Sequence, residues 1–187
     1  MKTKILLNII IGLISINCFA QSKRVENEFM ECTYKSYADN GKSFKELISN
    51  YEKLLIKENI LKNSSGKSYR QIYQKIADGK EFKNIPSTFF SQELQKIDQP
   101  DLDKFQECQN ILAQDSSDYD MSKVQGWEQI ISSVSESGDL EISLIGDHIL
   151  KLLSEKDFEL NFYKIRTFFL FSVIDIFSGS SRDFEKN

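Results

Sequence analysis

The only histidine of the chain, His148, is the first residue to consider as a chemical group. Histidine titrates near neutral pH, so His148 could act as a general base or as a pH sensor. It follows Asp147 and lies beside apolar residues at helical spacing, a setting typical of a packed or hydrogen-bonded histidine. The chain has neither a Gly-x-Ser-x-Gly nucleophile elbow nor a glycine-rich dinucleotide fingerprint. His148 is therefore a weak functional candidate, and no catalytic residue is predicted.

Three aspartates at close spacing, Asp115, Asp118 and Asp120, could supply oxygen ligands for a cation such as calcium. This segment lacks the central glycine and the terminal bidentate glutamate of the common calcium loop. A solvated acidic loop is the favoured interpretation, and a metal or polar contact site is the alternative. Zinc is not expected, because one histidine and two distant cysteines cannot provide the usual ligand set. The sequence thus predicts no bound metal and no cofactor.

Gly-Lys-Ser occurs twice, at residues 41–43 and 66–68, and this tripeptide is a fragment of the phosphate-binding loop. The full loop also needs an earlier glycine, five residues before the Gly-Lys pair, and neither copy has one. In both copies Glu or Gln follows the serine three residues later, which is the pattern of a capping box. We therefore expect Ser43 and Ser68 to cap two helices rather than to bind a nucleotide.

The N-terminus has the pattern of a cleaved secretory signal peptide, residues 1–20. Two lysines precede an apolar run from Ile5 to Ile16, and small residues stand three positions and one position before the expected cut at Gln21. A membrane anchor is disfavoured because this run is shorter than the roughly 20 residues that a spanning helix needs. A lipoprotein acylated at Cys18 is disfavoured by the residues before it. We expect a periplasmic or secreted protein, and the Lys, Asn and Ile bias suggests a Gram-negative cell.

Removal of the signal peptide leaves 167 of the 187 residues, a size typical of one domain. The removed segment contains two lysines and no acidic residue, so the net charge changes from −4 to −6. A chain with this balance does not favour binding to phosphate backbones or to anionic membrane surfaces. Nucleic-acid binding and stable membrane attachment after cleavage are therefore not expected.

Two cysteines, Cys32 and Cys108, remain after cleavage, and both lie on predicted apolar helix faces. In an oxidising compartment such a pair is expected to form a disulfide. Two separate buried thiols are the alternative. A bond that closes a loop of this length would stabilise the fold by about 4 kcal/mol in the chain-entropy model.

The element around which the chain is organised is the segment from Phe158 to Phe177, whose second half is apolar on nearly every side. Such a segment must be covered by other elements. The alternation of Phe158, Leu160 and Phe162 leaves open a short strand before the helix. After a frayed start over residues 21–24, apolar periodicity and turn signals predict helices at 25–38, 44–58, 69–77, 87–97, 101–113, 121–136, 140–153 and 162–177.

These elements predict an all-α fold, a single-domain bundle of amphipathic helices around the hydrophobic C-terminal helix. The domain is expected to cover residues 21–177 and to be followed by a polar tail, residues 178–187. The single tryptophan, Trp127, is expected in the core or at its rim, and a ligand platform is the alternative.

Without catalytic motifs, the favoured function is a protein-interaction module of the accessory, inhibitor or immunity type, with another protein as its partner. The first alternative is a small-molecule carrier with an aromatic-lined pocket between helices. The second is an envelope hydrolase that uses a carboxylate or His148. The oligomeric state is left open by the sequence.

Overall fold

The computed structural model describes residues 24–80, 82, 85–114, 119–136 and 142–184. The described residues form eight α-helices and one short 3-10 turn, with no strand among them. This confirms the predicted all-α fold. The helices are α1 Val25–Ser36, α2 Lys42–Lys57, α3 Gly66–Ala77, α4 Ser87–Leu94, α5 Leu102–Gln114, α6 Ser122–Glu136, α7 Ile142–Leu152 and α8 Asn161–Phe184, and the 3-10 turn is Asp157–Glu159. The predicted signal peptide lies outside the described residues.

Helix α8 lies at the centre of the bundle, as the all-round apolar pattern of its sequence predicts. Phe162, Tyr163, Phe168 and Phe171 are buried in one hydrophobic core with residues of every other helix except α5. Phe169 is the exception on this helix, because 44% of its surface is exposed. The α8 backbone remains helical to Phe184, beyond the predicted end of the helical domain, and a 3-10 turn replaces the possible strand before it.

The close approach of α3 and α7 depends on a glycine. A Cβ atom at Gly146 would lie 2.5 Å from the backbone nitrogen of Ala77 and 2.8 Å from the carbonyl oxygen of Tyr73. These distances are shorter than van der Waals contact, so only glycine allows the two helix backbones to approach this closely. No helix among the described residues is long and apolar enough to cross a membrane.

The prediction that Ser43 and Ser68 cap two helices is wrong, because both helices begin earlier than the serine pattern indicates. The hydroxyl of Ser65 accepts a hydrogen bond from the backbone N–H of Ser68 and caps α3. The hydroxyl of Ser68 instead accepts from the backbone N–H groups of residues 62–63, and so holds the preceding loop. At α2 the carboxylate of Asp39 accepts from the backbone N–H of Ser43.

Helix α5 is attached to the bundle mainly through α1. A disulfide joins Cys32 to Cys108 with a Cα–Cα distance of 5.6 Å, which confirms the predicted bond. The backbone N–H of Asp101, just before α5, donates to the carbonyl oxygen of Ser36 at 2.8 Å. No residue of α5 is fully buried, and Leu102 is 70% exposed. The disulfide therefore fixes a helix that contributes little to the core.

Candidate functional site

An aromatic pocket of 370 Å³ lies between α1, α5, α6 and α8 and opens to solvent along one side. Most of its lining is apolar, and a few polar side chains stand among the aromatic rings. The lining residues are Phe29, Met30, Thr33, Phe44, Phe105, Gln109, Val124, Glu128, Phe162, Ile165, Arg166 and Phe169. Three of its five phenylalanines, Phe29, Phe105 and Phe169, are partly or largely exposed, and contiguous exposed apolar surface often marks a binding site.

Each of the four helices contributes residues four positions apart to this pocket. Residues at this spacing lie on the same face of an α-helix, one turn above the other. The pairs are Phe29 and Thr33 on α1, Phe105 and Gln109 on α5, Val124 and Glu128 on α6, and Phe162 and Arg166 on α8. Each of these four helices therefore supplies a pair of one apolar and one polar side chain, and Met30, Ile165, Phe169 and Phe44 of α2 complete the apolar lining.

The base of the pocket is the ring of Phe162, which is itself buried in the bundle. The ring of Phe29 lies 6.0 Å from it, centroid to centroid. The guanidinium carbon of Arg166 lies 3.5 Å from the centre of the Phe162 ring, which is the geometry of a cation–π contact. The pocket thus places a permanent positive charge directly beside its aromatic base.

Arg166 and Glu128 form the only ion pair in the pocket lining, and the two side chains are held to different degrees. Nη2 of Arg166 donates to Oε1 of Glu128 at 3.0 Å, and Nη1 donates to the carbonyl oxygen of Phe162 at 3.4 Å. The side chain of Arg166 is 28% exposed, whereas that of Glu128 is 59% exposed. An ion pair this open to water contributes about 0–1 kcal/mol. The guanidinium is therefore fixed by stacking, and the carboxylate can exchange with solvent at low cost.

One wall of the pocket depends on the disulfide. Phe105 and Gln109 belong to α5, and Cys108 lies next to them in the same helical turn. Because no residue of α5 is fully buried, the bond to Cys32 is the main constraint on this wall. Formation of the pocket is therefore linked to oxidation of the two thiols.

A second cluster of charged groups surrounds Asp157, and none of its members lines the aromatic pocket. Its carboxylate is fully buried and accepts hydrogen bonds from Lys123 Nζ at 2.8 and 2.7 Å and from Ser154. Nη2 of Arg24 lies 2.6 Å from the same carboxylate and also contacts Glu26. The cluster ties the start of α1 and the start of α6 to the 3-10 turn, so Arg24 is a fixed residue rather than part of a frayed end.

The groups of this cluster are arranged to hold charge rather than to exchange protons at neutral pH. Burial disfavours the ionised form of Asp157, but hydrogen bonds from Lys123, Ser154 and Arg24 outweigh it and lower the pKa to about 2. Burial and the neighbouring charge of Glu26 raise the pKa of Tyr163, whose hydroxyl donates to Glu26 at 3.0 Å. Among the described residues no buried side-chain polar atom lacks a hydrogen-bond partner. We interpret the cluster as a structural clamp.

His148 lies in a different, shallow hollow on the surface, between α6 and α7. Its side chain is exposed, and the lining residues that the structure describes include Gln129, Ser133 and Lys151 but neither a carboxylate nor a thiol. Without such a partner in the lining, the hollow does not resemble the triad-like arrangements that activate a histidine. His148 is therefore not part of the aromatic pocket.

The other sequence-based candidates do not come together in one site. Trp127 is buried and packs edge-on against Tyr73, with ring centroids 6.1 Å apart, so it is a core residue. Asp120 is exposed and accepts from the backbone N–H of Ser122 at the start of α6. Asp115 and Asp118 lie outside the described residues. The described part of the chain contains no group of three or more potential metal ligands.

The pocket residues are functional candidates that the sequence analysis did not select. Each belongs to an amphipathic pattern that is explained equally well by core packing, so the pattern alone carries no signal for a pocket. The one available clue is Arg166, a charged residue one turn after Phe162 in the segment with the longest apolar run after the signal-peptide pattern. Comparison with known protein families, with curated proteins and with solved structures finds no match to this chain.

Proposed function

We propose that this protein is an exported protein-interaction module, of the accessory, inhibitor or immunity type, and that its aromatic pocket receives an apolar side chain of a partner protein. The observation that supports the proposal is the half-open pocket with a phenylalanine base between four helices. Binding energy at protein interfaces concentrates in a few large side chains that fill such desolvated pockets.

The size of the expected effect follows from the apolar lining. Complete burial of one Leu or Phe side chain contributes roughly 1.5–3 kcal/mol. Phe169, at the open side of the pocket, adds exposed apolar surface next to this anchor point. One such anchor supplies only part of the free energy that specific binding of another protein requires, so the surrounding contact area must supply the remainder.

The disulfide and the signal-peptide pattern support an extracytoplasmic location for this function. Disulfides persist in oxidising compartments, and here the bond fixes one wall of the proposed binding pocket. A protein with this arrangement is suited to act in the periplasm or outside the cell. The polar groups of the pocket are an arginine, a glutamate paired with it, a glutamine and a threonine, which is a set that favours binding over catalysis.

The experiment compares two variants of α5 that carry the same chemical change. Phe105→Glu places a charge in the pocket, whereas Ile111→Glu places one on the same helix at an exposed residue outside the pocket lining. Tagged residues 21–187 are mixed with the envelope fraction of the native cell, crosslinked mildly and analysed by mass spectrometry. Circular dichroism verifies that both variants remain folded.

We expect one dominant partner that the wild-type chain and Ile111→Glu retain and that Phe105→Glu loses. Equal retention by both variants would show that docking takes place elsewhere on the surface and would refute the role of the pocket. Loss of the partner by both variants would refute it as well, because the effect would then follow added charge on α5 rather than the pocket.

A small-molecule carrier is the second candidate, and the volume of the pocket is the observation that favours it. Small-molecule sites typically measure about 300–1,000 Å³, and the aromatic pocket measures 370 Å³. Native mass spectrometry of protein purified from its own host tests this candidate. A bound mass that the Ile111→Glu variant retains and the Phe105→Glu variant lacks would favour the carrier over the interaction module.

A further inference from the structure

We propose that the aromatic pocket binds the C-terminal residue of the partner polypeptide, with the terminal side chain against the accessible rings of Phe29 and Phe169 and the α-carboxylate on Arg166. This inference rests on the proposed function and specifies the chemistry of the partner. It depends on the contacts of two side chains: Arg166 is held firmly by stacking and hydrogen bonds, whereas Glu128 is largely exposed to solvent.

The guanidinium of Arg166 is prepared to receive a carboxylate. Arginine presents its N–H donors in a rigid planar fork that matches the two oxygens of a carboxylate. Stacking on Phe162 and the hydrogen bond to the Phe162 carbonyl oxygen fix the plane of this fork before any ligand arrives. The contacts to protein that the structure describes use Nη1 and Nη2, with a single carboxylate oxygen of Glu128 as the only charged acceptor.

Glu128 occupies the place where the ligand carboxylate would bind. Its side chain is 59% exposed, so it can turn into water with little loss of hydrogen bonding or packing. An incoming carboxylate would take the place of Glu128 on Arg166, so the guanidinium would remain paired with one carboxylate. A cationic ligand group would have to pair with the loosely held Glu128, whereas an anionic group would bind the fixed side chain of Arg166. The charge complementarity of the pocket therefore favours an anion.

Arg166 lies next to the aromatic rings of the pocket, and this arrangement suits the C-terminal residue of a polypeptide. At the last residue of a polypeptide, the side chain and the carboxylate branch from the same Cα atom. One residue can then place its apolar side chain against Phe29 and Phe169 and its carboxylate on Arg166, because these three side chains line the same pocket. The half-open side of the pocket allows the rest of the partner chain to leave. Capture of a terminal carboxylate is a known mode of peptide recognition.

The test uses two fluorescein-labelled hexapeptides, Ala-Ala-Ser-Ala-Ala-Phe with a free C-terminal carboxylate and the same peptide with a C-terminal amide. Binding to the oxidised chain, residues 21–187, is measured by fluorescence anisotropy. We expect the acid to bind about tenfold more tightly than the amide, because a charge-assisted bidentate contact is lost in the amide. 3-Phenylpropionate serves as a free small-molecule probe and is tested by competition and by direct titration.

Three variants separate the role of the charge from the role of the fold. Arg166→Gln should bind the acid and the amide with equal affinity, and Arg166→Lys should recover only part of the preference because it keeps the charge without the fork. Glu128→Gln should bind the acid more tightly than the wild-type chain, since it removes the competing carboxylate. A gain in affinity cannot result from misfolding, so this variant remains informative if those at Arg166 are destabilised.

The outcomes distinguish this inference from the proposed function. Equal binding of acid and amide by the wild-type chain, lost in Phe105→Glu, would overturn the role of the carboxylate and leave the interaction module in place. Binding of 3-phenylpropionate without binding of either peptide would overturn the inference in favour of the carrier. Absence of binding by all three probes would also overturn it, and the crosslinking comparison would then decide the proposed function on its own.

Discussion

Replacement of Asp157 by asparagine should weaken the fold strongly at neutral pH. The carboxylate of Asp157 is fully buried and binds Lys123, Ser154 and Arg24. Asparagine has nearly the same shape but no charge, so the two cations lose their common partner. Removal of one member of a buried ion pair usually costs more than the pair contributes, because a charge is left uncompensated.

The pKa of Asp157 gives the magnitude. It is lowered from 3.8 to about 2 in the folded protein, since the hydrogen bonds to the ionised form outweigh the effect of burial. A shift of this size corresponds to about 2 kcal/mol of stability that depends on the charge. Arg24 and Lys123 are partly exposed, so water can solvate them in the variant, and we expect a loss near this value rather than a larger one.

The dependence on pH has a definite sign. Because the pKa is lower in the folded state than in the unfolded state, the contribution of Asp157 is complete above about pH 4 and decreases as the pH falls towards 2. The free energies of unfolding of the wild-type chain and of Asp157→Asn should therefore differ by about 2 kcal/mol at pH 7 and should converge as the pH approaches 2.

Urea denaturation of oxidised residues 21–187, followed by circular dichroism at several pH values, measures this difference. Asp98→Asn is the matched control, because it makes the same change at an exposed residue and should shift stability by less than about 0.5 kcal/mol. A difference at pH 7 no larger than in the control would refute the assigned role of Asp157. A difference that stays constant down to pH 2.5 would refute the electrostatic reason for it.

Two further predictions concern the disulfide and the helix contacts. Replacement of both Cys32 and Cys108 by serine should lower the free energy of unfolding by about 4 kcal/mol, because the bond closes a long loop in the unfolded chain. Calorimetry with and without a reductant measures this loss. A loss below about 1 kcal/mol would contradict the prediction. Gly146→Ala should destabilise by at least about 2 kcal/mol, since its Cβ would collide with the backbone of Ala77. Gly126→Ala is the control in the same denaturation assay, because its Cβ would meet only a leucine side chain, and equal effects of the two changes would disprove the backbone contact.

The sequence was sufficient to predict the helices, the central position of α8 and the disulfide. These features depend on local periodicity, on the apolar character of one segment and on the number of cysteines in an oxidising compartment. Helix ends were less predictable, because a Ser or Asp three or four residues earlier can cap the same turn. Ser68 shows this, since its hydroxyl binds the loop before the helix instead of capping α3.

The aromatic pocket and the buried cluster around Asp157 could not be read from the sequence. In both cases the groups that meet are far apart in the chain: Arg24 and Lys123 reach Asp157, and Arg166 reaches Glu128. Periodicity shows which side of each helix is apolar, but it carries no information on which helix faces which.

The sequence by itself thus determined which elements form and which residues avoid water, because these properties depend on neighbours within a few positions. Only the tertiary structure decided which apolar faces remain partly open and where a charge stands beside them. The physical reason is that helices pack through their side-chain shapes, and a gap such as the aromatic pocket arises where four of these shapes do not fill the space between them. The aromatic pocket is therefore a property of the packing rather than of any one segment.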